Sequence, residues 1–334
     1  MKHQLDTLIA DYKAGKLDRR RVRDALARLQ GGTRTCELSE VQLGLWIVQR
    51  SFPAMTAYNV PLALRVRGLS ALTFATACRA AVAQHPVLST MIERAGDRAT
   101  QSIDAARPLD FAVIDLTEAD EAEALRAVRA ASLEPFRIEG GPLFRVRVFE
   151  RSPREAIVLF AAHHIIFDGS SAALLIDSVF GAYQSLLAGG DVEPDAPAAA
   201  FHDAVRALRQ RIDGERAAHL AYWRHQLAVP PPALALPTLR PHAALDDRFA
   251  GTTYLRALPG ALRRRLAARS AAARGFASTA LLAAYAVALG ELAGQRELVI
   301  GVPVNERRGA EDARVMGLLI NMVPIRIRLD AAAT

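Results

Sequence analysis

A chain of 334 residues has room for one large domain or two of ordinary size, with a sizeable core. Hydrophobic residues make up 51% and charged residues 23%, the balance of a globular protein, and no apolar run reaches the length needed to cross a bilayer. The formal charge of +7 rests on arginine, since lysine occurs only at positions 2, 13 and 16. Basic residues are spread along helical patterns such as "LDRRRVR" and "LRRRL", whereas a nucleic-acid footprint is a concentrated stripe with motif support. Neither nucleic acid nor membrane is an expected partner. The N-terminus lacks the apolar core of a signal peptide, and Cys36 and Cys78 have neither metal-site nor redox spacing, so a reducing, cytoplasmic location is expected.

In chain order, residues 3–30 carry two amphipathic patterns, Leu5, Leu8, Ile9 and Tyr12, then Val22, Ala25, Leu26 and Leu29. They predict a helical hairpin that either packs on the main body or docks a partner. From Leu38 onward strand and helix alternate. "YNVPLALRVRG" reads as a strand, "LSALTFATACRAAVAQH" as a helix, "PLDFAVIDL" as a strand and "EADEAEALRAVRAASLE" as a helix. "PLFRVRVFE" and "EAIVLFAAHH" read as paired strands joined by "RSPR", and a helix runs from "SSAALL" to Gly189 and Gly190. Two proline-rich stretches, 188–200 and 229–247, flank a long polar helix. Beyond them come a strand "TTYLRALPG", two helices over 259–295, and the strands "ELVIGVPV" and "NMVPIRIRL". The segments fall into 1–34, a helical linker or docking element; 35–190, a first α/β lobe; 191–247, a connecting helix with proline-rich linker; and 248–334, part of a second lobe.

The densest chemistry is "AIVLFAAHHIIFDGSS". The apolar run predicts a strand covered on both faces, and residues leaving such a strand enter a cleft. Side chains alternate along a strand, so His163 and His164 should point to opposite sides and only one can face a cavity. Ser170 or Ser171 is the expected N-cap of the next helix, bringing backbone N–H groups and a helix dipole to the imidazole. A neutral histidine there can take a proton from a nucleophile while the donors hold an oxyanion. Two roles stay open for Asp168: orienting a histidine, or holding the loop through an arginine. A metal site is disfavoured because adjacent strand histidines point apart, and a serine nucleophile because no elbow pattern surrounds "GSS". Two satisfied core histidines would be the bland reading, but His-His-x-x-x-Asp-Gly after a buried strand is too specific for it.

The stretch "HHIIFDG" resembles the HHxxxDG motif of nonribosomal peptide synthetase condensation domains, relatives of the chloramphenicol acetyltransferase-like acyltransferases. "LSEVQLGLWIVQ", "PFRIEGGPLFRVRVF", "VIGVPVNERRG" and "VMGLLINMVPIRIRL" are similar to further family motifs, in the family's order. The resemblance implies two α/β lobes in a V shape with a tunnel between them, the second lobe incomplete here because members continue for about a hundred residues more. It implies an acyl or peptidyl donor and an aminoacyl acceptor, each presented on the phosphopantetheine arm of a carrier protein within a synthetase, with no cofactor or metal bound by the domain itself. It implies His164 and Gly169 as catalytic positions, His163, Asp168 and Arg307 as structural support, and Ser170, Phe167 and Asn321 as tunnel-lining positions.

The second family motif departs from its usual R-H-E-x-L-R-T. Here it is "QHPVLST", with Gln84 and Ser89 in place of arginines, which assigns Asp168's ion partner to Arg307. Phe167 and Ser170 fit a less common subtype, including one with a polyketide or fatty-acyl donor, while the histidines disfavour the cyclisation subtype. Amide formation is the expected reaction. The alternatives are an ester-forming or acyl-CoA-dependent acyltransferase, or a non-catalytic carrier-binding domain.

Overall fold

The computed structural model describes residues 35–192, 201–237, 249, 251 and 253–330. The expected hairpin over 3–30 lies outside them. The described chain divides into two units: residues up to Ala54 with Tyr58–His202 and Arg314–Leu318, and Met55–Ala57 with Asp203–Ala313 and the residues from Leu319 on.

The first unit opens with β1 (Cys36–Glu37) and helix α1 (Glu40–Ser51). Ser39 and Gln42 form a reciprocal capping box at the start of α1, satisfying two N–H groups that a helix terminus otherwise leaves open. Strand β2 (Asn59–Arg67) and helix α2 (Ala71–Gln84) follow, then a 3-10 turn Pro86–Ser89 and the strands β3 (Thr90–Ala95), β4 (Arg98–Ile103) and β5 (Asp110–Asp115). Helix α3 (Glu121–Ser132), strands β6 (Phe144–Ser152) and β7 (Glu155–His163), and helix α4 (Gly169–Leu187) complete it.

The main sheet has the order β2-β7-β6-β5, antiparallel except for the parallel β5/β6 pair. A parallel pair needs a crossover, and α3 is that crossover. A smaller antiparallel sheet, β1-β4-β3, was not foreseen in "TMIERA" and "RATQSI", whose mostly polar alternation gives a weak strand signal. The apolar run of β7 is buried on both faces, as a two-sided strand demands. Ile157 and Leu159 pack with Val128 of α3 and Phe149. Phe160, of opposite parity, meets Phe74 of α2 and Phe144, and Phe74 also meets Phe180 and Tyr183 of α4.

The second unit holds most of the long helix α5 (Phe201–Gln226), helices α6 (Gly260–Ala272) and α7 (Ala277–Ala293), the antiparallel pair β8 (Glu297–Asn305) and β9 (Ile320–Arg328), and the short helix α8 (Gly309–Ala313). Its core cluster joins Ala286 and Leu289 of α7 to Leu298 of β8, with Ile300, Ile327 and Leu329 against it. Glu297 bonds both Arg326 and Arg328, which hold its carboxyl down at about 2. The strand expected over "TTYLRALPG" does not form: residues 253–259 have no regular structure, and Tyr254 and Leu255 are exposed. A strand exists only by pairing, and among the described residues none pairs with this segment.

Arg314–Leu318 returns to the first unit. Gly317 sits there at φ +144°, and a Cβ on it would lie 2.1 Å from the Phe201 ring. Gly317→Ala combines backbone strain with a clash in a buried contact, and is expected to cost about 2–5 kcal/mol, read as a lowered urea midpoint. An unchanged midpoint would contradict this packing.

Candidate active site

Strand β7 delivers the histidines. His163 is its last residue, paired with Asn59 of β2, and its N–H donates to the Leu143 carbonyl at 2.8 Å. The chain then leaves the strand for a 3-10 turn, His164–Ile166, anchored where the His164 N–H donates to Tyr58 O at 2.8 Å. The two rings have different surroundings, as strand alternation anticipates, but a turn rather than a continuing strand separates them. His163 is fully buried and His164 half-buried.

Each nitrogen of His163 has a partner. Nδ1 accepts the Ile165 N–H at 3.1 Å, and Nε2 lies 3.3 Å from Gln49 Oε1. Phe136 and Tyr58 stand edge-on to the ring at 6.0 and 6.1 Å. The guanidinium of Arg145 lies over the Phe136 ring, 3.9 Å from its centre. Burial lowers the pKa of that guanidinium, and Glu134, 2.7 Å away, opposes the shift. His163 is thus a satisfied structural histidine. His164 is the contrast: its ring makes no hydrogen bond among the described residues, and its buried Nδ1 has no partner.

Asp168, fully buried, caps α4. Its Oδ1 accepts the Ser171 N–H at 2.9 Å and the Ser171 hydroxyl at 2.8 Å. The sequence reading placed the cap at Ser170 or Ser171. The aspartate wins because one carboxylate oxygen can accept from both the backbone and the side chain three residues on. Of the two roles left open for Asp168, orienting a catalytic ring is not the one adopted toward His164, whose ring has no bonded carboxylate. Ser171 Oγ also accepts the Gly317 N–H at 2.9 Å, so cap, helix and returning segment share one hydroxyl.

Gly169 begins α4, is exposed, and faces open space: an added Cβ would meet nothing within 4 Å. Ser170 beside it is half-buried. Phe167, expected along a tunnel, is 2% exposed and lies among the buried hydrophobic residues. His163, His164, Phe167, Asp168, Gly169 and Ser170 therefore form one local cluster. Arg307 and Asn321 belong to the second unit, where Asn321 lies on β9 and Asn305 Oδ1 accepts from the Arg307 backbone N–H at 3.0 Å and its guanidinium at 3.3 Å.

Sequence reasoning missed the roles of Gln42, Gln49 and Ser171. The signal was present in part, because Gln42, Trp46 and Gln49 are spaced i, i+4, i+7 and share one face of α1, all buried. Trp46 Nε1 donates to Glu139 at 3.1 Å, Gln49 meets His163, and Gln42 Nε2 donates to Ile165 O at 2.9 Å.

Burial draws His163 down to about 4, with His164 adding to the shift, and burial draws His85, whose Nε2 lies 2.7 Å from Ser178 Oγ, to about 4 as well. In the unfolded chain each ring takes a proton near pH 6.5. The folded pKa is depressed, so each contributes stability that is complete above about pH 6.5 and is lost as pH falls through 4, up to about 3 kcal/mol apiece. A His163 ring seen by NMR to titrate near 6.5 in the folded chain would contradict the assignment.

Comparison with known proteins shows the family of the chain. The chain is 35% identical over 291 residues to polyketide synthase PksN of Bacillus subtilis, covering 86% of this chain and 5% of that protein. It is 33% identical over 306 residues to phosphinothricin tripeptide synthetase PhsB of Streptomyces viridochromogenes, covering 88% and 25%. This chain thus spans only a small part of those relatives. Among solved structures, the first condensation domain of the calcium-dependent antibiotic synthetase has the same fold at TM-score 0.71 and 22% identity, covering 89% of this chain and 71% of that one. The X-domain from teicoplanin biosynthesis, solved with OxyB, aligns at TM-score 0.76 and 27% identity, covering 88% and 65%. Residues 33–334 match the family described as Condensation domain, and the chain belongs to that family.

Proposed function

We propose that this chain forms an amide by transferring an acyl group from a carrier-bound thioester to the amine of a carrier-bound aminoacyl group. The amine nitrogen bonds to the thioester carbonyl carbon, and the carbon–sulfur bond breaks. The amine gives up a proton, and the departing thiolate takes one. The observation that carries this reading is the pairing of His164, whose ring has no hydrogen bond within the described chain, with the open space at Gly169. Family membership supports the reaction class.

The geometry favours positioning by His164 over strong base catalysis. A triad-type base has an acceptor on its far ring nitrogen to hold the tautomer and stabilise the imidazolium. His164 Nδ1 has none. An α-amine has a pKa of roughly 8, so a useful fraction is already neutral at pH 7 and needs orientation more than deprotonation. The name of PksN, a polyketide synthase, supports a polyketide-type acyl donor, and the synthetase names of other relatives support carrier proteins as partners. A phosphopantetheine arm is the fitting carrier of both groups, since a thin flexible thioester needs the unobstructed approach that a glycine leaves.

Two variants separate chemistry from folding. His164→Ala removes no hydrogen bond and should leave the urea midpoint nearly unchanged, while acyl transfer, followed by mass spectrometry of the acceptor arm, falls by about a hundredfold. With a hydroxyl acceptor, which needs a true base, the same change should abolish transfer. Gly169→Ala is expected to raise stability by up to about 1 kcal/mol, alanine being the better helix former, yet to suppress transfer by filling the approach. If both variants transfer as the parent does, the active-site assignment is wrong.

A further inference from the structure

Nothing bonded to the His164 ring aims it, so its direction depends on its backbone, and two glutamines of α1 hold that backbone. Gln49 Nε2 donates to the Pro53 carbonyl at 3.3 Å, which turns Oε1 toward His163. Oε1 can only accept, so the His163 proton must lie on Nε2. That leaves the lone pair on Nδ1, where the Ile165 N–H donates at 3.1 Å. The other tautomer would set two N–H donors against each other at Ile165 and leave Gln49 Oε1 without its proton. The carbonyl of the same residue, Ile165, accepts from Gln42 Nε2 at 2.9 Å. Gln42 is itself held, its Oε1 accepting from the Ser39 N–H at 2.9 Å and from Gln101 Nε2 at 2.9 Å. Ile165 follows His164 in the 3-10 turn, so its N–H is fixed through Gln49 and His163, and its C=O through Gln42.

We infer that Gln42 and Gln49 are positioning residues for His164: Gln49 holds the His163 ring through its Nε2–H, so that Nδ1 clamps one end of the Ile165 backbone, and Gln42 clamps the other. The catalytic part of this rests on the acyl-transfer reading above; the tautomer and the clamp do not. Helix α1 is then a bracket for the motif turn as well as a packing element. The faces of the carbonyl and N–H that it satisfies lie in a buried region, where an unpaired group is costly and a paired one is held firmly.

The test uses Gln49→Leu, Gln49→Glu and Gln42→Leu in the 334-residue chain. Long-range 15N NMR reads the His163 tautomer, amide exchange reads Ile165, and single-turnover transfer reads chemistry. Gln49→Leu leaves the His163 Nε2–H without an acceptor while the Ile165 N–H still holds Nδ1. The tautomer should stay, the ring should loosen, exchange at Ile165 should speed up, and transfer should fall by up to about a hundredfold with little change in acceptor-carrier KM. Gln49→Glu, read at pH 8, keeps an acceptor for that proton and should restore Ile165 protection and most of the rate. Gln42→Leu should speed Ile165 exchange with the same tautomer. The inference is overturned if Gln49→Leu keeps the parent's Ile165 protection, or if protection is lost in Leu, restored in Glu, and transfer is equal in both. A parent chain without transfer would overturn the acyl-transfer reading alone, because tautomer and exchange are read without substrate.

Discussion

The hydroxyl of Ser171 is where the first unit closes on itself. It donates to the buried Asp168 carboxylate and accepts from the backbone of Gly317, a residue 146 positions away in the chain. Through Asp168 it fixes the start of α4, and through Gly317 it fixes the segment that comes back after α8. Gly317 reaches this hydroxyl because it has no Cβ, which lets its backbone approach the Phe201 ring at a φ that other residues avoid. The motif glycine and motif aspartate therefore answer one steric and one electrostatic demand at the same spot. A buried carboxylate needs donors, and this arrangement supplies two from one residue.

Around that node the two histidines divide their work by hydrogen bonding. His163 is saturated, with a donor and an acceptor on opposite ring nitrogens and two aromatic rings, Tyr58 and Phe136, at steep angles to it. Burial lowers its pKa, which favours the neutral ring. The His164 ring makes no hydrogen bond among the described residues, and Gly169, later in the same motif, fronts open space. A protein that folds around such an orphaned ring accepts a local cost, and sites of function are where such costs collect. The loop between β7 and α4 is held through His163, Ile165 and Asp168, while the His164 ring makes no hydrogen bond among the described residues.

Much of the first unit was legible because its signals are local. The unbroken apolar run of β7, the alternation in "YNVPLALRVR" and the periodicity of α2, α3 and α4 each follow from side-chain patterns within a dozen residues. The pairing of β6 with β7 followed from a tight turn between two such runs. The small sheet was not legible, because its strands are largely polar and exist through each other. The segment "TTYLRALPG" shows the same rule from the other side: alternation without a pairing partner leaves no strand.

At the site, the chain alone determined that a histidine pair, an aspartate and a glycine would gather between a buried strand and a helix, since their spacing and the flanking apolar runs allow little else. Which serine or aspartate would cap the helix, which histidine would be saturated, and that α1 would carry the glutamines that hold the turn were decided only by the tertiary structure. The reason is distance along the chain. Gln49 meets His163 across 114 positions and Gln42 meets Ile165 across 123, and no local pattern encodes a hydrogen bond of that span. Sequence periodicity says that Gln42 and Gln49 share a buried face. Only the packed fold says what that face is buried against, and so which ring is hydrogen-bonded at both nitrogens and which is not.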